Sequence, residues 1–132
     1  MENDLRAALI GWLQGGPEPL DGLNAVTEEA PSTGSPPWLG IAASASADWS
    51  TKDRKGREIR VALELHTRRE DPAEDGALVR AIDRRVEALP QVQDGFELAS
   101  VQFLRARAER RPRNTRAVLM EYRFRCFEIQ PE

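Results

Sequence analysis

Apolar and polar residues alternate without a break from Glu58 to His66. Ile59, Val61, Leu63 and Leu65 fall on one side; Glu58, Arg60, Ala62, Glu64 and His66 fall on the other. This period of two predicts a half-buried strand over Arg57 to Thr67. Trp38 to Ala47 alternates as well, with Leu39, Ile41, Ala43, Ala45 and Ala47 against Gly40, Ala42, Ser44 and Ser46. The polar loop from Trp49 to Gly56 joins these strands and is longer than a tight hairpin needs. A second alternating pair follows. Phe96 to Arg107 places Ala99, Val101 and Phe103 opposite Leu98, Ser100, Gln102 and Leu104, and either side could face inward. Ala108 to Thr115 reads as a second polar loop. The last strand, Arg116 to Ile129, sets Val118, Met120, Tyr122, Phe124 and Cys126 against Leu119, Glu121, Arg123, Arg125 and Phe127.

Two segments carry the helical period. Leu5, Ala8, Leu9, Trp12 and Leu13 form one stripe, with Asn3 as the expected N-cap and Gly15-Gly16-Pro17 as a left-handed stop. Asp71-Pro72-Ala73-Glu74 reads as a capping box with proline in the first turn. The helix it opens buries Ala77, Leu78, Ala81, Ile82, Leu89 and either Val86 or the stem of Arg85, and stops at Leu89-Pro90. Residues Gln91 to Gly95 form a turn. Between the first helix and the first strand, Gly16 to Pro37 is poor in apolar residues, with a short extended piece at Leu23 to Thr27. It is either a flexible surface loop or a segment that orders against a partner. The order is helix, hairpin, helix, hairpin. This predicts a single α+β domain over residues 1–132, with a four-stranded antiparallel sheet of two long hairpins. Both amphipathic helices pack on one face of it. The polar face is left for solvent or another subunit.

Composition narrows the function classes. The 132 residues carry a net charge of −3, with both signs spread over the chain. That balance argues against a whole-protein nucleic-acid or membrane binder. No apolar run approaches the ~20 residues of a membrane span. The acidic, amphipathic start lacks the layout of a signal peptide. One cysteine and one histidine, Cys126 and His66, exclude a disulfide within the chain and a cluster of histidine ligands. Cys126 lies on an apolar strand face, where burial raises a thiol's pKa and keeps it inert. His66 lies on a polar strand face as a solvated or interface residue. No phosphate-binding glycine loop and no buried carboxylate pair is apparent. The expectation is no enzyme, no catalytic residue, no metal and no cofactor.

The loops are the sharper features. Lys52, Arg54, Lys55 and Arg57 make the first hairpin basic; Arg105, Arg107, Arg110, Arg111, Arg113 and Arg116 lie in and beside the second. Such charges are either simply solvated or form a surface for an acidic protein or a phosphate backbone. No aromatic residue interleaves the arginines, which counts against base stacking.

Pro37-Trp38-Leu39-Gly40, then Asp48-Trp49-Ser50-Thr51-Lys52 with Gly56-Arg57-Glu58, then a strand ending in His66-Thr67-Arg68, resembles the tail-completion or tail-terminator family of long-tailed bacteriophages and phage-like gene transfer agents. The resemblance runs from the opening helix to Phe127. The Pro/Ser-rich stretch before Trp38 and the arginine-rich second loop depart from it. It implies a structural virion protein in the particle neck, assembled in the bacterial cytoplasm. The subunits would form a ring, commonly a hexamer, at the head-proximal end of the tail tube. The ring would stop tail polymerisation and join the head stopper, with DNA passing through its lumen. On this reading Asp48, Trp49, Lys52, Arg54, Lys55 and Arg57 contact the tail tube, the stopper or a neighbouring subunit. Arg107, Arg110, Arg111, Arg113 and Arg116 contact a neighbour or the DNA. The alternatives are a nucleic-acid-binding module built on the arginine-rich hairpin, or another neck component such as the stopper itself.

Overall fold

The computed structural model describes residues 1–29, 34–68 and 72–129. Helix α1 spans Glu2–Gln14 and α2 spans Pro72–Glu87. The strands are β1 (Ala25–Thr27), β2 (Trp38–Asp48), β3 (Gly56–Arg68), β4 (Phe96–Arg111) and β5 (Thr115–Glu128). They form one sheet in the order β1-β2-β3-β5-β4.

The four long strands are antiparallel as expected, but the sheet has five strands and is mixed. Ala25 to Thr27 pairs parallel with Trp38 to Gly40. The short extended piece in the supposed loop is therefore a sheet member. Three residues are too few for periodicity to place. The register is held from outside the strand: Asn24 N–H donates to Pro37 O at 2.8 Å, and Asn24 Nδ2 donates to Ser35 O at 2.9 Å.

Three further expectations change. Most of the second polar loop is strand, because β4 runs to Arg111 and β5 starts at Thr115. Only Pro112, Arg113 and Asn114 turn the chain, the last two at φ 62°. Charged residues kept on an exposed strand edge do not break a ladder. Asn3 lies inside α1, with Met1 at the N-cap, and its side chain accepts from Arg6. Gly15 sits at φ −87°, so the helix ends without a left-handed residue. The proposed cap Asp71 lies outside the described residues.

The core lies between one sheet face and the helices. Ile59, Val61, Leu63 and Leu65 of β3 and Val118, Met120, Tyr122, Phe124 and Cys126 of β5 face Leu5, Leu9, Leu13, Ile82 and Val86. Burial of such side chains contributes roughly 1.5–3 kcal/mol each. A bulge between Leu98 and Ser100 explains why β4 was ambiguous. Phe96 and Leu98 face inward before it, and Val101 opposite Phe124 faces inward after it, so the period changes phase. The helices are clasped to each other. Arg85 stacks on the Trp12 ring at 3.3 Å, Trp12 Nε1 donates to Arg85 O at 2.6 Å, and Arg85 Nε donates to Trp12 O at 2.9 Å. On the buried face Tyr122 donates to Asp83 at 2.7 Å; burial is the main reason its phenol pKa is raised.

Candidate assembly surface

The register sets the two hairpin tips at opposite ends of the sheet. Gly56 at the first tip pairs with Phe127, and Arg68 at the other end of β3 pairs with Thr115 beside the second tip. Thirteen residues of β3 separate these ends, about 40 Å at ~3.3 Å per residue. The two basic loops therefore cannot share one small partner surface.

The first loop is clamped. Trp49 N–H donates to Gly56 O at 3.0 Å, Gly56 N–H donates to Ser50 Oγ at 3.0 Å, and Ser50 donates to Asp48 Oδ1 at 2.7 Å. Thr51 N–H donates to Arg54 O at 2.9 Å, and Thr51 Oγ1 accepts from Arg54 N–H at 3.1 Å. A β-carbon on Gly56 would lie 2.5 Å from Trp49 O and 3.0 Å from Cys126 O, so glycine lets the loop backbone close onto the sheet. The Trp49 ring packs on Phe127 at 4.9 Å, with Arg125 5.3 Å from its centre. Arg54 covers the same Phe127 at 4.3 Å and pairs with Glu97 at 3.6 Å. Asp48, Trp49 and Arg54 thus shape the loop. Lys52, Lys55 and Arg57 are exposed and form no ion pair among the described residues. Phe127, Arg125 and Glu97, which pack against this loop from other strands, are not singled out by the sequence. Phe127 left a signal: an aromatic residue on the strand face that also carries Glu121, Arg123 and Arg125.

The second hairpin sorts its arginines differently. Arg116 pairs with buried Asp75 at 3.2 Å, and Asp75 also accepts from Thr67 at 2.9 Å. Arg111 pairs with Glu64 at 3.0 Å and Glu109 at 3.3 Å; Arg107 pairs with Glu109 at 2.9 Å. Arg105 donates to Glu121 at 2.7 Å, and that hydrogen bond holds the carboxyl below its ordinary pKa. Arg110 and Arg113 are exposed and without an ion pair among the described residues. Beside them a cleft of about 420 Å³ is lined by Trp38, His66, Pro112 and Arg113. Thr115 donates its one hydroxyl proton to Pro112 O at 2.9 Å, so His66 Nε2 is the donor in its 3.0 Å contact with Thr115 Oγ1. The His66 ring lies 5.0 Å from Trp38, and desolvation lowers its pKa.

Between the tips, the open sheet face is a lattice of arginines and carboxylates. Glu58 takes Arg125 at 3.1 Å and Arg123 at 3.7 Å, while Arg60 stands directly opposite Arg123 and acts on the Glu121 carboxylate only from beyond ion-pair distance. Cys126 faces the core, where burial pushes its thiol up to about 12. Among the described residues no group of three His, Cys, Asp or Glu side chains could hold a metal ion. No described helix is long and apolar enough to cross a membrane.

Residues 7–126 match the family model described as tail completion protein gp17. The chain belongs to this family. As a tail completion protein it is a structural component of a phage-type tail. The fold is similar to that of a chain in the virion of a native gene transfer agent particle. The two have 22% identity and a TM-score of 0.79, over 96% of each chain. No curated protein matches.

Proposed function

We propose that this tail completion protein assembles into a ring, a homohexamer, at the head-proximal end of the tail tube. There it ends tube polymerisation and gives the head stopper its docking surface, with DNA passing through the lumen. The ring is assembled in the bacterial cytoplasm and stays in the neck of a phage or gene-transfer-agent particle. The work is mechanical, without catalysis or a cofactor. The observation that carries this reading is the family match across residues 7–126.

The separation of the hairpin tips supports a subunit that touches different partners at its two ends. Lys52, Lys55 and Arg57 face one partner on the clamped loop; Arg110 and Arg113 face another at the tight turn. Asp48, Trp49 and Arg54 support the first contact by holding the loop in shape. Arg107 and Arg111 are partly neutralised by Glu109 and Glu64, and Arg116 is held by Asp75. This leaves Arg110 and Arg113 as the positions most available to a neighbour or to DNA, and counts against an independent nucleic-acid module.

The decisive experiment is light scattering on the full chain, alone and with the tail tube protein, with tail lengths read by electron microscopy. A closed oligomer that caps tubes of uniform length is expected. A strict monomer in both conditions, with tubes unaffected, overturns the ring.

A further inference from the structure

The sheet has two free borders, and they are unlike. On one side β1 covers only Trp38 to Gly40, and Ile41 N–H reaches Glu28 O at 3.2 Å. Beyond Ile41 no described residue pairs with the outer edge of β2. From Ala42 to Ala47 this edge carries only alanine and serine, with no charge and no proline. On the other side, Val92 bridges Glu97 and Leu98 N–H donates to Gln91 O at 2.7 Å, which covers only the start of β4. Its remaining edge, Ala99 to Arg111, is open among the described residues. That edge has two bulges and carries Arg105, Arg107 and Arg110. Bulges and charges are the usual guards of an exposed strand edge. The β4 edge has both; the β2 edge has neither after the irregularity at Ile41–Ala43.

We propose that the open edge of β2 receives the open edge of β4 from a second copy of this chain, so that the sheet continues from subunit to subunit. This rests on the ring reading above and adds which surfaces meet. Strand direction favours it. The strands β2, β3, β5 and β4 alternate, so a copy rotated about an axis along the strands brings its β2 antiparallel to β4. Side-chain size favours it too. The small residues of β2 leave room for Gln102, Phe103 and Arg105 alongside. Phe103 is 43% exposed on the helix side of the sheet, with its ring 5.6 Å from Tyr122. In a neighbour's β2, Ser44 lies under α1, accepting from Arg6 at 3.0 Å and donating to Glu2 at 3.1 Å; that element would cover the exposed ring.

The open edge of β4 carries four arginines against the single carboxylate Glu109, and this excess of positive charge disfavours pairing β4 with itself. Pairing β2 with itself would end at a dimer and leave Phe103 exposed. The covers on the two borders sit at opposite ends of the sheet, so the open parts are offset along the strands. A closed sheet needs a stagger of this kind between successive strands. Two unlike edges make a heterologous contact, the type that closes into a ring.

The test uses the full chain with the tail tube protein, monitored by native mass and by hydrogen exchange. In the assembled state the outward-facing amides of 42–48, and of the equally long part of 99–111 that lies against them, are expected to exchange about tenfold or more slowly than in the monomer. Two variants at an exposed position read the charge of the facing edge. A43K, opposite the uncharged Ala62 of its own chain, is expected to weaken association at least about tenfold, and A43E to retain it; unchanged melting temperatures show that both remain folded. Rings whose 42–48 amides exchange as in the monomer overturn the edge assignment and leave the ring standing. A dimer protected only at 42–48 overturns it in favour of β2 pairing with itself. No assembly under either condition overturns both.

Discussion

The two basic hairpins look alike along the chain and are built in opposite ways. The first is a wide loop held shut by its own backbone and by aromatic packing, with Trp49 on Phe127 and Arg54 over the same ring. The second is a three-residue turn with Arg113 and Asn114 in the left-handed region, and its strands tie up most of the neighbouring arginines. Equal charge density in sequence thus conceals a shaped platform at one end of the sheet and two unpaired cations at the other. A basic residue can be assigned to a partner only after the carboxylates of its own chain have been matched to it.

The strongest way to break this comparison is at Gly56. A G56A variant must push backbone away from Trp49 O and Cys126 O, because no flexible side chain can yield there. A loss of about 2–3 kcal/mol in chemical denaturation is expected, as for overpacking at a tight site. A loss below about 0.5 kcal/mol, the usual range for an inert surface change, would mean that the first loop is not clamped. At the second hairpin the matching variant is R116A, which leaves the buried Asp75 carboxylate with Thr67 as its one side-chain partner among the described residues. Arg116 is partly exposed, so the expected loss is about 2 kcal/mol, below that for a fully buried pair. R113A, by contrast, should stay within about 0.5 kcal/mol of the parent. Equal losses for R116A and R113A would erase the distinction between a structural and a free arginine.

The packing of Trp49 sharpens the same contrast. W49A is expected to cost about 1–2 kcal/mol through the lost ring contact and burial. It should also raise hydrogen exchange from residue 50 to 55 while leaving 112–114 unchanged. Equal effects on both loops would show that the hairpins are coupled through the sheet and do not act as separate ends.

What was legible in the sequence follows from how local each cause is. The alternation from Ile59 to Leu65 and from Val118 to Cys126, and the stripes of both helices, predicted the elements that face the core. These patterns are set by burial, which repeats along the chain. β1 could not be placed in the sheet, because three residues carry no period and its register comes from Asn24 and the returning chain at Ser35 to Pro37. The end of β4 was read as loop because its charges are balanced by partners distant in sequence, such as Glu64 for Arg111. Trp49 stands out in the sequence, but its packing partner does not, since Phe127 joins it only through the register of β3 with β5.

The smallest expected effect is titration, and it too falls on one end. His66 sits beside the second turn, and burial lowers its pKa from the ordinary 6.5, with nearby Arg111 acting in the same direction and Glu64 opposing. A histidine whose pKa is lower when folded binds protons more readily when unfolded. Its contribution to stability is therefore complete above about pH 6.5 and is lost as the pH falls through the folded value. The first loop contains no histidine. Acidification from pH 7.5 to 5.5 should therefore speed hydrogen exchange at 112–116 before it does so at 49–56. H66Q should flatten that step at the second turn. If the exchange at 112–116 keeps its pH step in H66Q after correction for intrinsic rates, the titrating group is not His66; if the parent shows no step there, the second turn is as indifferent to pH in this range as the first.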